Sequence, residues 1–139
     1  MPRATRTPVR ALNAPAPAPF LSQAIVVGDL IFCSGQLGMN PTTNQMVEGS
    51  IKERTKQIML NLSAVLEAGG SSLRDAVKMN IYLADMDDFG AVNEVYDSFF
   101  EGAKPARTCV AVKTLPKGSD VEIECTGVVT GVPKGASRL

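Results

Sequence analysis

The sequence predicts a single α+β domain of order β-β-α-β-α-β-β, with two helices on one face of a mixed, mostly antiparallel sheet. Three observations carry this reading. A capped helix with a clear apolar stripe runs between Ser50 and Gly70, a second stripe runs from Phe89 to Phe100, and runs of period two lie on both sides of them. A chain of 139 residues, 45% hydrophobic, suits one domain with one core. We expect a flexible N-terminal arm over residues 1–18, the folded domain over 19–130 and a C-terminal tail over 131–139.

Taken in order, Met1 to Pro19 is rich in Ala, Pro and Arg and reads as an extended, poorly ordered arm. "FLSQAIVVGDLIFCSGQL" holds two short strands around a Gly28-Asp29 turn. Gly35 near its end admits close approach of a backbone or a ligand. "NPTTNQ" is turn chemistry. The first helix opens on Ser50 with Glu53 three residues on, a capping box, and closes on Gly69-Gly70. Its stripe is Ile51, Ile58, Met59, Leu62, Val65 and Leu66. "DAVKMNIYLAD" alternates Val77, Met79, Ile81 and Leu83 with polar residues, as a half-buried strand does. The second helix carries Phe89, Val92, Tyr96, Phe99 and Phe100, with Asn93 inside or beside that stripe. Asn93 is either a stripe-edge residue touching solvent or a polar group aimed at a neighbouring subunit or pocket. Lys104 to Val129 reads as a β-hairpin.

Lys+Arg and Asp+Glu number 14 each, and the formal charge is zero. That balance argues against nucleic acid as the main ligand, since phosphate binding calls for a basic excess. With no histidine in the chain, His triads, His general bases and His metal sites are excluded. Cys33, Cys109 and Cys125 are widely spaced without a C-x-x-C, so neither a disulfide framework nor a metal cluster is expected. A reducing compartment fits. No apolar run reaches the ~18 residues of a membrane span. The acid-poor start with Arg3, Arg6 and Arg10 has the composition of a transit peptide, but five prolines before Phe20 would break its helix. The expectation is therefore cytoplasmic, with mitochondrial import as the alternative.

Chemistry concentrates in "KPARTCVAVKTLPKGSDVEIECTGVV". Alternation puts Arg107, Cys109 and Ala111 on one face and Thr108, Val110 and Val112 on the other. With Val110, Val112 and Ile123 assigned to the helix-covered side, Arg107, Cys109 and Glu122 fall together on the uncovered face. Arg107 could then grip a carboxylate through two parallel N–H bonds while Glu122 handles a water or a proton. The plain alternative is an exposed cross-strand Arg–Glu pair worth ~0.2–1 kcal/mol. Cys33 and Cys125 read as core packing, and Cys109 as either a pocket wall or a nucleophile.

These residues also carry a resemblance. "PARTCVAV" followed by "LPKGSDVEIE" resembles the signature of the RidA (YjgF/YER057c/UK114) family of imine deaminases, in its archetypal, fungal-type branch. "SGQL", the "GSI…NL…VLEAGGSSL" helix, "VKMNIYLADMDDF" and "VNEVYDSFF" extend it over roughly Pro19 to Thr130. The resemblance implies a chorismate-mutase-like fold and a homotrimer whose three sites lie between subunits. It implies hydrolysis of enamines and imines such as 2-aminoacrylate and 2-iminobutyrate to 2-keto acids and ammonia, with no metal or organic cofactor. It casts Arg107 as the carboxylate clamp and Glu122 as the group activating water. Cys109, Gly35 and Asn93 would line the site. Phe20 stands where the family often has Tyr, so a hydroxyl is missing there. Alternatives within the resemblance are a non-catalytic ligand-binding or chaperone-like trimer, and an endoribonuclease or translation inhibitor, which the neutral charge and lack of stacking aromatics disfavour.

Overall fold

The computed structural model describes residues 4–133 and 136–138. Among these residues, seven strands and two α-helices follow the order β1 (Arg6–Ala11), β2 (Ala24–Val27), β3 (Leu30–Gln36), α1 (Ile51–Ala68), β4 (Ala76–Leu83), α2 (Phe89–Asp97), β5 (Ala106–Ala111), β6 (Val121–Val128) and β7 (Ala136–Arg138). They form one sheet of spatial order β5-β4-β6-β3-β2-β1-β7. Every neighbouring pair is antiparallel except β4 and β5. Helix α2 is the crossover that lets β4 and β5 run parallel.

Helix α1 forms as its sequence dictates. Ser50 Oγ accepts from the Lys52 N–H, and Glu53 Oε2 accepts from the Ser50 N–H at 2.8 Å. Ile58, Met59, Leu62, Val65 and Leu66 are fully buried against the sheet. Gly70, at φ +85°, makes the left-handed turn that ends the helix. Met79, Ile81 and Leu83 of β4 and Val121, Ile123 and Cys125 of β6 supply the sheet side of the same core. Among the described residues no helix is long and apolar enough to cross a membrane.

Three expectations are corrected here. First, the arm of residues 1–18 is not a free tail, because Arg6–Ala11 is strand β1, paired with β2 and β7. Val9 and Ala11 are buried. Behind them the buried Gln23 carboxamide accepts from Ala11 N at 2.6 Å and donates to Ala11 O and Pro15 O. Pro8 lies outside the stretch that pairs with β7, so its missing N–H breaks no rung there. Second, Ala136–Arg138 in the expected tail pairs with β1. Third, β5 and β6 are not a hairpin. Strand β4 lies between them, parallel to one and antiparallel to the other, and the Val112–Asp120 connection steps over its end.

That insertion changes the faces. In register, Met79 pairs with Arg107 and Ile81 with both Cys109 and Ile123. Since Met79, Ile81 and Ile123 face the helices, Arg107 and Cys109 do too. Val110, expected beneath the helices, is instead 41% exposed on the other side. Glu122 and Glu124, opposite Tyr82 and Asn80, remain on the uncovered face as expected.

Candidate functional site

Arg107 sits on an edge strand, against residues from both the first and the last turn of α2. Its guanidinium lies 4.9 Å from the Tyr96 ring centre and 5.5 Å from that of Phe89. Those two residues are seven apart on one helix stripe and so present their rings to the same place. Two rings on a planar cation fix its orientation and leave its N–H edge free. Arg107 forms no ion pair among the described residues. The surrounding hollow, about 650 Å³, is lined by Gly90, Asn93, Tyr96, Lys104 and Pro105 among others. Among the described residues Asn93 Oδ1 is buried there without a partner, and so is the Tyr96 hydroxyl. Burial pushes the Tyr96 hydroxyl pKa up, with the Arg107 charge pulling the other way. Cys109 packs partly against the core, and burial raises its thiol pKa against the opposing pull of Arg107. A raised pKa disfavours the thiolate a nucleophile needs.

Glu122 belongs to a second cluster, on the uncovered face. Its carboxylate lies over the backbone of Gly35, where a Cβ would stand 2.1 Å from Oε1. The β3–β6 pairing shifts register between Cys33 and Gln36, which opens this seat. Gly35 does admit a close approach, but what approaches is the Glu122 side chain and not the backbone or ligand expected. Burial first, and then the Glu124 charge, raise the Glu122 pKa. Phe20 is 86% exposed and borders a hollow with Phe32 and Ser34 on the same side of the sheet. Ser34 Oγ donates to Ser22 O at 2.6 Å and holds the Phe20 segment down on β3.

The structure therefore brings Arg107, Asn93 and Cys109 to one face, and on the other seats Glu122 on Gly35, with Phe20 in a neighbouring hollow rather than against Glu122. It does not join the two sets within one chain, since Arg107 and Glu122 lie on opposite faces with β4 between them. The simple cross-strand ion pair is excluded for the same reason. The Phe89–Tyr96 brace on Arg107 was missed because both residues read as core. The signal was their spacing, with one end of the stripe reaching an arginine on the edge strand.

A model described as endoribonuclease L-PSP matches residues 11–129. The chain belongs to the RidA family. A rat RidA-family relative, 2-iminobutanoate/2-iminopropanoate deaminase, is 45% identical over 116 residues, covering 84% of this chain and 85% of its own. The crystal structure of the yeast protein YEO7 superposes with a TM-score of 0.88 at 47% identity, covering 91% of this chain and 100% of that one. The E. coli protein TdcF, solved with bound serine, gives 0.84 at 31% identity, over 88% of this chain and 98% of that one. These RidA-family structures share the architecture of two helices on a mixed sheet.

Proposed function

We propose that this RidA-family chain hydrolyses small 2-imino acids and their enamine tautomers, such as 2-iminobutanoate, to 2-keto acids and ammonia. The observation that carries the reading is Arg107, an oriented guanidinium braced by Phe89 and Tyr96, without a carboxylate partner among the described residues, facing a hollow. Such a fork fits the carboxylate of a small imino acid through two parallel hydrogen bonds. The name of the rat relative and the serine bound in TdcF support a ligand of that class.

The reaction needs one water and proton transfers. Glu122 accepts a proton from water as its oxygen bonds to the imine carbon, giving a carbinolamine. The same carboxyl returns that proton to nitrogen, then takes the proton of the carbinolamine hydroxyl and passes it to nitrogen as the C–N bond breaks and the C=O forms, so that ammonia leaves, the keto acid remains and the carboxylate is restored. A raised pKa suits a group that must both take and give a proton. No covalent nucleophile enters, in keeping with the disfavoured Cys109 thiolate.

Because the two clusters lie on opposite faces, one substrate can meet both only if they come from different copies of the chain. A closed ring of three supplies this, with the β5 edge of one copy docked on the uncovered sheet face of the next. Leu30, Phe32 and Val110 are exposed large apolar residues on that face, and Phe20 lies beside it, as a docking surface requires.

The test is to generate 2-iminobutanoate in situ with an amino-acid oxidase and follow keto-acid release. Wild-type protein accelerates it, Arg107→Ala abolishes the acceleration, and Glu122→Ala lowers it by about 10²-fold or more. No acceleration by the wild type overturns the reading.

A further inference from the structure

Beside Glu122, two residues along the same face of β6, stands Glu124. The two carboxylates are treated differently. Glu124 Oε1 accepts from the Tyr82 hydroxyl at 2.5 Å and from Asn80 Nδ2 at 3.3 Å. Glu122 accepts no hydrogen bond among the described residues and rests on Gly35 instead. The ladder makes this arrangement pointed. Tyr82 is the direct cross-strand partner of Glu122, yet its hydroxyl reaches past it to Glu124. The Tyr82 pKa is pushed up to about 12, chiefly by that bond, so the phenol stays a donor at all ordinary pH.

We infer that Glu124, fixed by Tyr82 and Asn80, is a positioning residue whose charge directs the working proton to Glu122. Two carboxylates on one face, of which only one is supplied with donors, divide their roles. The donor-bound one serves as acceptor, and the bare one takes the proton. Among the described residues of the chain itself no other charge competes near Glu122, and in the proposed ring the Arg107 of the neighbouring copy faces it in wild type and both variants alike. Strand β3 offers only Ser34, Gly35 and Gln36 there, β5 offers Thr108 and Val110, and Lys78 of β4 donates to Thr108 at the far edge. The raised pKa of Glu122, with Glu124 its second cause, agrees in sign. Removing the Glu124 charge eases ionisation of Glu122, so the Glu122 midpoint falls. Glu122 becomes a weaker base that is ionised at lower pH.

This inference rests on the proposed hydrolysis for its consequence but not for its test. The side-chain carboxyl carbon of Glu122 is titrated by NMR in wild type, Glu124→Gln and Tyr82→Phe, all checked for folding by their amide spectra. Glu124→Gln lowers the Glu122 midpoint, and Tyr82→Phe lowers it by less, because the charge remains but is no longer held. The pH profile of 2-iminobutanoate hydrolysis follows: in Glu124→Gln the acid limb moves to lower pH and the plateau rate drops. An unmoved midpoint in either variant overturns the inference, whatever the rates do. A shifted midpoint in a protein that hydrolyses no imine leaves the tuning standing and overturns the proposed function instead.

Discussion

Glu122 rests where the side chain of residue 35 would otherwise stand, so a single methyl group reports on the site. Gly35 does not adopt a positive φ, and alanine there meets no left-handed backbone penalty. What its Cβ meets is the far end of the Glu122 side chain, which can swing aside. Gly35→Ala therefore keeps the fold and moves the carboxylate. Circular dichroism should be unchanged, while imine hydrolysis falls by about 10²-fold, as a displacement of the order of 1 Å can cause. Retained activity would show that Glu122 does not work from this seat. Individual residues were partly legible. Gly35, Arg107 and Glu122 stand out by type, but the Tyr96 and Phe89 rings around Arg107 read as ordinary core, because an aromatic stripe looks the same whether it covers a leucine or a guanidinium.

At the level of elements, local signals and long-range pairing part company. Helix α1 follows from its capping box, stripe and glycine end, all of which lie within the segment itself. Ser50→Ala removes the acceptor for the first turn and should cost about 1 kcal/mol in denaturant unfolding, with the midpoint and not the slope changing. The β5–β6 misreading has the opposite origin. Consecutive strands with turn residues between them look like a hairpin, and only the parallel return through α2 reveals that β4 takes the central place. That exchange moved Arg107 and Cys109 to the helix side, since the face of a strand is set by its partners' register. The N-terminal strand was hidden by prolines, whose composition resembles a free arm. Its fixing point, the buried Gln23 carboxamide, lies outside the segment it secures.

The whole molecule carries the strongest constraint. A single chain presents Arg107 on one face and Glu122 on the other, and the proposed hydrolysis needs both. The proposed closed ring would cover the exposed Phe32 and Leu30 of the uncovered sheet face and the exposed Phe20 beside it. On that proposal activity is a property of the assembly and should be lost on dilution into single chains. The most direct measurement is complementation. Arg107→Ala and Glu122→Gln chains, each nearly inactive alone, are unfolded together in equal amounts, refolded and assayed with 2-iminobutanoate. Sites shared between copies predict recovery of about a quarter of the wild-type rate, from interfaces that draw arginine from one parent and glutamate from the other. A mixture no more active than the sum of its two components would contradict the account.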